Sequence, residues 1–468
     1  MNLNAYKLII YFILALCLFG VITYQQAVAQ EKKHNFESEK EEEGKTKNVW
    51  SSEKSKPEII NDSNLKIELV AQGLEFPTSM AFNGPDDILI LEKEKGTVRR
   101  IVDGRLVPEA LLKIDVGMPN QTCMCGIAIS RTNPDRIYVF LYFTETLARN
   151  QQEGRSSDLS LSNSLYRYEL DKDKLHNPKE LLNLPPTAGP HHTGGAIIIG
   201  PDNNVYVPVG DLDNIENREY FNTLAQNFYN SKGADGRSGI LRITQDGNPV
   251  GKGILGKEYP LNLYYAYGIR NSFGMDFDPV TGNLWDTENG PAFGDEINLV
   301  EPGFNSGWAK VQGIWKPFYD QERGVDFVAG QVITNISTDD LVTFDGKGKY
   351  SAPEFIWKQS TGPTALTFLH SENLGKKYEN DIFVGSVSSG QIYHFDLNKD
   401  RTELVLPAQL RDKIADTDQE IDQSGILFGR GFGGITDIEV GPDGYLYIVS
   451  IGEGKIFRIL SSGNIPQD

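Results

Sequence analysis

The stretch GPDGYLYIVS, Gly441 to Ser450, places turn-forming residues directly before alternating apolar residues. The same phrase returns five times along the chain: GPDDILILE from Gly84, NPDRIYVFL from Asn133, GPDNNVYVPVGD from Gly200, DPVTGNLWDTE from Asp278 and YENDIFVGS from Tyr378. Alternation with a period of two behind a turn is typical of a half-buried β-strand. Each copy therefore predicts one such strand.

The phrase defines a repeated unit. Six copies over about 400 residues give roughly 65 residues per unit, which fits a four-stranded blade with one long loop. A second strand follows several copies, as in GTVRRI from Gly96, GQIYHF from Gly390 and GKIFRI from Gly454. The sequence predicts an all-β protein, a six-bladed β-propeller with four-stranded antiparallel blades. The alternative is two stacked β-sandwich domains, which is disfavoured because no linker divides residues 65–462. Two short segments are helix candidates, Lys179 to Leu184 and Ala408 to Ile414.

The N-terminal residues form two segments of their own. Residues 1–29 combine Lys7, an apolar run and Ala27-Val28-Ala29, the pattern of a signal peptide. Residues 30–60 are rich in Lys and Glu and predict a flexible charged tether. The propeller is expected over residues 61–462 and a C-terminal tail over 463–468. We expect export to an extracellular, cell-surface or periplasm-like space, with an uncleaved N-terminal membrane anchor as the alternative.

The body of the protein is strongly acidic. The whole chain carries a formal charge of −19. Residues 1–29 contribute only Lys7, and residues 31–57 hold seven Lys and seven Glu, so −20 remains on residues 58–468. Such a charge excludes nucleic acid and anionic lipid as partners and fits a protein that binds cations or neutral solutes. Outside the signal peptide only Cys123 and Cys125 remain, so the domain is not rich in disulfides.

The segment from Gly268 to Trp308, which contains GIRN and ENGPAFGDEIN, holds more candidate functional residues than any other part of the chain. Backbone carbonyls and carboxylates at a strand end suit calcium, which takes several oxygen ligands. The neighbouring guanidinium and amide of Arg270 and Asn271 suit an anionic, hydrogen-bonding ligand. Together these groups indicate a metal-assisted small-molecule site. The alternative is two turns and a solvated acidic loop.

Further candidate residues lie in loops before or after the repeats. His191 and His192 stand in the Gly-rich loop GPHHTGG, where a His can act as a general base, bind a transition metal or cap a turn. Asp211, in VGD, is a substrate contact or a turn cap, and Gln121 is a ligand contact or a plain loop residue. Cys123 and Cys125 are soft metal ligands, a strained small-ring disulfide or buried thiols.

From about Leu65 to Leu460 the chain resembles the soluble quinoprotein glucose/sorbosone dehydrogenases, in their aldose sugar dehydrogenase branch. The matching pieces occur in the order of that family: Gln121, HHTGG, VGD, GIRN, ENGPAFGDEIN, NSGW and the final GPDGYLYIVS. The resemblance implies a six-bladed propeller that uses pyrroloquinoline quinone (PQQ) and calcium. It also implies oxidation of a sugar substrate, followed by transfer of electrons to an external acceptor.

The resemblance also implies roles for individual residues. His192 would be the general base, with His191 and Asp211 on the substrate side. Arg270 would assist catalysis and, with Asn271, contact the quinone. The remaining implied contacts are Gln121 for the cofactor, Gly290 and Pro291 through main-chain oxygens for calcium, and Glu296 for a structural calcium.

The chain departs from the family pattern where cations are expected. Members carry a Lys in the fifth repeat, where this chain has Ser388, and an Arg-x-Arg-Asp element in the last, where it has Gly434-Ile435-Thr436-Asp437. Ser388 and Thr436 are therefore the candidate cofactor contacts at these places. Arg411, Lys413 and Arg430 are nearby cations that would compensate.

Three functional hypotheses follow. The first is an exported quinoprotein oxidoreductase that oxidises an aldose at C1 to the lactone with PQQ and calcium. The second is a propeller that lost the quinone and binds carbohydrate or another surface. The third is a transition-metal site built from His191, His192 and the Cys-Met-Cys triplet.

Overall fold

A computed structural model of the chain describes residues 57–114, 116, 124–147, 160–184, 192–212, 223–229, 231, 233–291, 293–313, 318–320, 325–328, 331–332 and 340–463. By its internal contacts the chain divides into residues 1–55 and 56–468, and every described residue belongs to the second unit. None of the helices in the described ranges is long and apolar enough to cross a membrane.

The described residues are mostly β-structure. The first strands in chain order are β1 (Ile59–Ile60), β2 (Leu65–Gln72), β3 (Pro77–Gly84), β4 (Asp87–Glu92), β5 (Thr97–Val102), β6 (Arg105–Leu106), β7 (Leu112–Lys113), β8 (Met124–Ser130), β9 (Ile137–Leu147), β10 (Ser160–Asp171), β11 (Lys174–Leu184), β12 (Ile198–Ile199), β13 (Val205–Val209), β14 (Gly239–Ile243) and β15 (Tyr264–Tyr267). The later ones are β16 (Ser272–Phe277), β17 (Leu284–Glu288), β18 (Asp295–Val300), β19 (Phe304–Asn305), β20 (Phe318–Asp320), β21 (Val325–Val328), β22 (Gln331–Val332), β23 (Lys349–Tyr350), β24 (Phe355–Trp357), β25 (Pro363–Phe368), β26 (Ile382–Ser386), β27 (Ile392–Leu397), β28 (Leu404–Val405), β29 (Ile414–Ala415), β30 (Leu427–Arg430), β31 (Ile435–Val440), β32 (Leu446–Ser450) and β33 (Lys455–Ser461).

Helical structure is short. The α-helix α1 (Asp418–Ser424) begins after Thr417, whose hydroxyl accepts a hydrogen bond from the amide of Glu420, and ends at Gly425 with φ 85°. The 3₁₀ helices of the described residues are Leu224–Gln226, Leu261–Leu263, Lys376–Tyr378 and Ala408–Leu410. Of the two predicted helices, residues 179–184 lie instead in β11, and residues 408–414 form a 3₁₀ turn that leads to β29. Edge pairing within their sheets overrides the weak local helix propensity of these segments.

The strands assemble into sheets that follow the chain order. The first sheet contains β3–β7, the second β8–β11, the third β12–β15 with β19 and β23, the fourth β16–β18 with β24 and β29, the fifth β25–β28 with β30 and β1, and the sixth β31–β33 with β2. The strands β20–β22 form a small sheet of their own. The predicted all-β propeller is confirmed. The expectation of uniform four-stranded antiparallel blades is wrong for several sheets, because loop segments add short outer strands, some of them parallel.

Each repeated phrase forms the second strand of its sheet, as β4, β9, β13, β17, β26 and β32 show. These strands were predicted to be half-buried, but β13, β17, β26 and β32 are buried at every position. The reason is that both faces of each sheet pack against neighbouring sheets. One such layer joins Trp285 and Trp357 of the fourth sheet to Phe368 and Val384 of the fifth.

Hydrogen bonds join successive sheets near the N-terminal ends of their inner strands. The connecting bonds are Thr78 Oγ1 to Met124 O (2.6 Å), Tyr142 OH to Thr193 O (2.7 Å), Ala196 N to Phe273 O (2.9 Å), Asn289 Nδ2 to Pro363 O (2.9 Å), Thr364 Oγ1 to Ile435 O, and Thr436 Oγ1 to Pro77 O (3.0 Å). The last of these bonds returns to the first sheet. The N-terminal ends of the inner strands therefore surround one common region.

The N-terminal strands belong to sheets formed by the end of the chain. Strand β2 pairs with β33 from Leu65↔Ser461 to Gln72↔Lys455. Strand β1 pairs with β30 through Ile59 and Ile60, so the folded part begins slightly before the predicted boundary at residue 61. Antiparallel pairing of the two chain ends within one sheet removes exposed edges, as closed β-architectures require.

Candidate active site

His192 lies between an acidic and a basic side chain. Its Nδ1 is 2.6 Å from Asp211 Oδ1, and its Nε2 is 2.9 Å from a terminal nitrogen of Arg270. A guanidinium can only donate hydrogen bonds, so Nε2 must accept and therefore carries no proton. The proton of the neutral ring then resides on Nδ1 and is donated to Asp211. This arrangement selects the tautomer that a general base needs, with its lone pair on Nε2.

The backbone around His192 permits this placement. His192 has φ 56°, in the left-handed region, and leads into Gly194 with φ 90°. Gly210 lies so close that a Cβ there would be 2.1 Å from His192 O. The amide of Asp211 donates to Arg270 O at 2.8 Å, which fixes the acid relative to the guanidinium. Within the described residues Asp211 Oδ2 is buried and accepts no hydrogen bond.

Arg270 connects the His–Asp pair to the Gly-Pro turn. One terminal nitrogen of its guanidinium donates to Asn289 O at 2.8 Å and to Gly290 O at 2.7 Å. Its backbone amide donates to Glu288 Oε1 at 2.7 Å, and its guanidinium lies 5.4 Å from the ring centre of Trp308. Arg270 is 8% exposed. The GIRN and NSGW segments thus meet in space at this side chain.

Asp295 holds the turn that contains Gly290. Its Oδ1 accepts the amide of Gly290 at 2.8 Å, and its Oδ2 accepts the amides of Thr361 and Gly362 at 2.7 and 2.8 Å. Burial raises the pKa of Asp295, and these hydrogen bonds oppose the rise. A Cβ on Gly290 would lie 2.0 Å from Phe293 O, so no other residue fits there. Pro291 follows in the same turn, with its carbonyl one peptide further on.

Asn271 lies beside the same loops. Its Oδ1 accepts the amide of Gly194 at 3.2 Å, and its Nδ2 donates to Asn289 Oδ1 at 3.3 Å. The structure therefore brings together His192, Asp211, Arg270, Asn271 and Gly290, which are far apart in the sequence.

Glu296 is buried in a layer of polar groups. Its Oε1 accepts Gln312 Nε2 at 2.9 Å and the amide of Gly313. Ser306 Oγ lies 2.7 Å from Glu288 Oε2 and 3.2 Å from Glu296 Oε2, and its one proton can be donated to either carboxylate. Burial raises the pKa of Glu296 to about 7 and that of Glu288 well above its usual range. The role of Glu296 as a calcium ligand stays a prediction.

Ser388 and Thr436 stand where the family carries cations. The amide of Ser388 donates to Thr361 O at 3.3 Å, and Thr436 is buried and uses its hydroxyl on Pro77 O. Two of the cations expected to compensate are bound elsewhere: Lys413 Nζ is 2.8 Å from Glu354, and Arg430 is 3.1 Å from Asp422. The structure assigns neither of them to the site.

Gln121, His191 and Cys123 lie outside the described residues. Cys125 is disulfide-bonded, to a partner that also lies outside them, so the expectation of two buried free thiols is wrong for this residue. A disulfide sulfur is not a thiolate ligand, which removes Cys125 from the proposed transition-metal site. Its Sγ is 3.4 Å from the hydroxyl of Thr193, next to His192.

Sequence reasoning did not assign roles to Glu288, Asn289 or Asp295. Glu288 and Asp295 were grouped with Glu296 in an acidic loop that suits calcium, with a solvated loop as the alternative. Both are fully buried, so the solvated alternative is wrong for them. The signal that identifies the two carboxylates is their position at the end of β17 and at the start of β18, where they accept backbone amides.

The model of the family described as Glucose / Sorbosone dehydrogenase matches residues 74–458 of this chain. Among curated proteins, an uncharacterised protein of Synechocystis is 27% identical over 86% of this chain and 88% of its own length. The aldose sugar dehydrogenase of Escherichia coli is 22% identical over 83% of this chain and 90% of its own length. Quinoprotein glucose dehydrogenase B of Acinetobacter calcoaceticus is 28% identical over 59% of this chain and 58% of its length.

Solved structures give the same picture of the fold. A putative oxidoreductase (glucose dehydrogenase) of Thermus thermophilus superposes with a TM-score of 0.60 at 25% identity, covering 85% of this chain and all of that one. The PQQ-bound aldose sugar dehydrogenase of Streptomyces coelicolor superposes with a TM-score of 0.58 at 20% identity, covering 85% and 99%.

Proposed function

Because this chain belongs to the glucose/sorbosone dehydrogenase family, we propose that it is a PQQ-dependent sugar dehydrogenase that oxidises an aldose at C1 to the lactone. The observation that carries the proposal is His192, held by Asp211 and Arg270 in the tautomer of a general base. Relatives named as aldose sugar and glucose dehydrogenases support the reaction class.

The residues present perform distinct tasks in this reaction. His192 Nε2 takes the proton of the anomeric hydroxyl, and Asp211 stabilises the imidazolium that results. Arg270 must turn from His192 toward the substrate oxygen before this transfer, because the hydrogen bond that it donates occupies the lone pair on Nε2. There its charge stabilises the developing negative charge. Asp211 Oδ2, buried and without a partner among the described residues, accepts one further donor.

The residues also fit the cofactor and the metal. Gly290 O accepts a hydrogen bond from Arg270 and keeps a second lone pair, so it and Pro291 O would hold calcium. Asn271 and Arg270 would contact the quinone, and the resemblance gives Gln121 a contact with the cofactor as well. When bound, the quinone would accept the hydride from C1, and calcium would polarise its carbonyl.

The direct test is reconstitution of the purified protein with PQQ and calcium. We expect saturable PQQ binding by absorption or fluorescence titration, and oxidation of aldoses with an artificial electron acceptor. His192→Ala should retain PQQ binding but lose about 10²–10⁴-fold in kcat. Absence of PQQ binding at micromolar concentration with calcium present would contradict the proposal.

A second function is favoured by the neutral residues Ser388 and Thr436. Without cations at these places, the same propeller would bind carbohydrate or another surface and catalyse no reaction. The two functions separate in the titration, since this second function predicts sugar binding without PQQ binding.

Three further points belong to the same proposal. Six of the sheets contain four or more strands, which supports six blades. The signal-like N-terminus supports export, with the residues between it and β1 as a tether and residues 463–468 as a tail. Electrons would leave through an external acceptor.

A further inference from the structure

Four sheets begin their inner strand in the same way. In each, the residue after the second strand donates its amide to the carbonyl of the residue before the inner strand. The pairs are Lys93 to Phe76 (3.1 Å), Asn289 to Asn271 (3.0 Å), Val387 to Gly362 (2.9 Å) and Ile451 to Gly434 (2.9 Å). Lys93 in the first sheet is therefore structurally equivalent to Asn289 in the fourth, and Phe76 to Asn271.

This equivalence indicates where Lys93 is directed. Asn289 extends from its turn to the neighbouring inner strand, where its Nδ2 donates to Pro363 O at 2.9 Å. From the same placement we expect Lys93 to extend toward the start of β8 and the region that the inner strands surround. The position of Asn271 and Asn289 belongs to the candidate active site, so Lys93 and Phe76 occupy the corresponding part of the first sheet.

The surroundings of Lys93 suit a cation that binds an anionic ligand. Its side chain is partly accessible, yet burial lowers its pKa, which indicates a recess rather than an open surface. Glu94 is the one charged group that opposes this effect, and the structure shows no ion pair of Lys93 within the described residues. Lys95, two residues later, differs: it is paired with Glu75 at 2.6 Å and is 41% exposed.

Phe76 adds a second unusual feature at the same place. It has φ 46°, although it is neither Gly nor Asn and precedes a proline, and it remains 38% exposed. Backbone strain of this kind is characteristic of functional sites. An exposed aromatic ring beside a lysine suits a planar or ring-shaped molecule that carries an acidic group.

The neutral Ser388 and Thr436 leave the site without the cations expected there, and Lys413 and Arg430 are bound elsewhere. We propose that Lys93 binds a carboxylate of the molecule held in the candidate active site. The inference rests on the proposed function for the location of that molecule. The carboxylate has two possible sources: the quinone cofactor, or a sugar acid such as a uronate as substrate.

The test compares Lys93→Met, Lys93→Arg and the control Lys95→Met in the full-length protein. PQQ binding is titrated by fluorescence with calcium present, and binding of glucuronate and glucose is measured by calorimetry. We expect Lys93→Met to weaken binding of one carboxylate probe by about ten- to hundredfold, the usual effect of losing one charge-assisted hydrogen bond. Lys93→Arg should recover most of this loss, and Lys95→Met and glucose binding should be unchanged.

The two probes distinguish the sources and separate this inference from the proposed function. Weakened PQQ binding identifies the cofactor carboxylate, and weakened glucuronate binding with unchanged PQQ binding identifies the substrate. If the wild type binds PQQ and Lys93→Met binds both probes normally, the inference is wrong and the proposed function stands. If the wild type binds glucuronate through Lys93 but no PQQ, the inference stands and the proposed function is wrong. Binding of neither probe by the wild type overturns both.

Discussion

At the scale of single residues, function depends on the protonation and hydrogen bonding of a few buried side chains. Arg270 donates to His192 Nε2 and thereby fixes the proton on Nδ1, where Asp211 accepts it. Asp211 is only 2% exposed, so little water competes for this bond. The acid therefore acts through the histidine and is a positioning residue.

Asp211→Asn should disturb this tautomer. The Asn amide can donate to Nδ1, which would move the ring proton to Nε2, opposite the guanidinium of Arg270. We expect kcat to fall by about 10²-fold or more and its pH profile to change, with PQQ affinity retained. Steady-state kinetics from pH 5 to 9 checks this. If Asp211→Asn had the same kcat and the same pH profile of kcat as the wild type, Asp211 would not have the role assigned to it.

Asp286 is a second residue whose charge state matters. Burial raises its pKa from 3.8 to about 7, and within the described residues neither of its carboxylate oxygens has a hydrogen bond of good geometry. An acid with a raised folded pKa contributes most to stability when protonated, so this contribution is lost as the pH rises from about 4 to about 7.

Asp286→Asn should therefore stabilise the protein at high pH. We expect a gain in the free energy of unfolding on the order of 1–4 kcal/mol at pH 8, shrinking toward zero near pH 4. Urea unfolding at several pH values measures it, with exposed Asp400→Asn as the control. If Asp286→Asn increased the free energy of unfolding equally at every pH, the raised pKa of Asp286 would not be the cause.

At the scale of elements, the turn between β17 and β18 contains the carbonyls that would hold the proposed calcium. Asp295, the first residue of β18, joins this turn to the segment before β25 through backbone amides of Gly290, Thr361 and Gly362. The position of Gly290 O therefore depends on two neighbouring sheets rather than on the turn alone.

Asp295→Ala should loosen the turn and weaken calcium binding. Loss of a residue that orients ligands commonly costs about 10–100-fold in metal affinity. We expect the calcium concentration for half-maximal PQQ binding to rise within this range. Ser360→Ala is the graded control, because it removes one hydroxyl donor to Asp295 and leaves the three backbone donors in place. Equal calcium dependence of Asp295→Ala and the wild type would count against calcium at this turn.

At the scale of the whole molecule, the sixth sheet joins the two ends of the chain. Strand β2 pairs with β33 along its length and buries Leu65 and Ala71. Without β2, the edge of β33 and the apolar groups beneath it would face water.

Truncation tests this closure. A chain that begins at residue 57 should unfold in a cooperative thermal transition like that of the full chain. Removal of residues 1–72 should abolish the cooperative transition or lower the midpoint strongly, because an open sheet edge remains. Circular dichroism with heating measures both variants. A cooperative transition of normal midpoint in the shorter chain would show that β2 does not close the propeller.

The sequence by itself determined the strand-forming units, because turn residues followed by alternating apolar residues specify strands locally. It also identified His192, Arg270, Asn271 and Gly290, since these residue types carry recognisable chemistry and lie in motifs that resemble a family. It could not show the full burial of the second strands, the short parallel outer strands or the roles of Glu288 and Asp295. These depend on contacts between sheets, which a local pattern does not contain.

Only the tertiary structure decided which side chains share one site. His192 and Arg270 are 78 residues apart, and the packing of two sheets brings them within hydrogen-bond distance. The same holds for the cations: Lys413 and Arg430 are close to the last repeat in sequence but pair with Glu354 and Asp422. Lys93 is remote in sequence and becomes equivalent to Asn289 through the shared register. Closure of the chain brings residues that are distant in the sequence close together around one region. For this reason the candidate catalytic groups could be proposed from the sequence, but their arrangement could not.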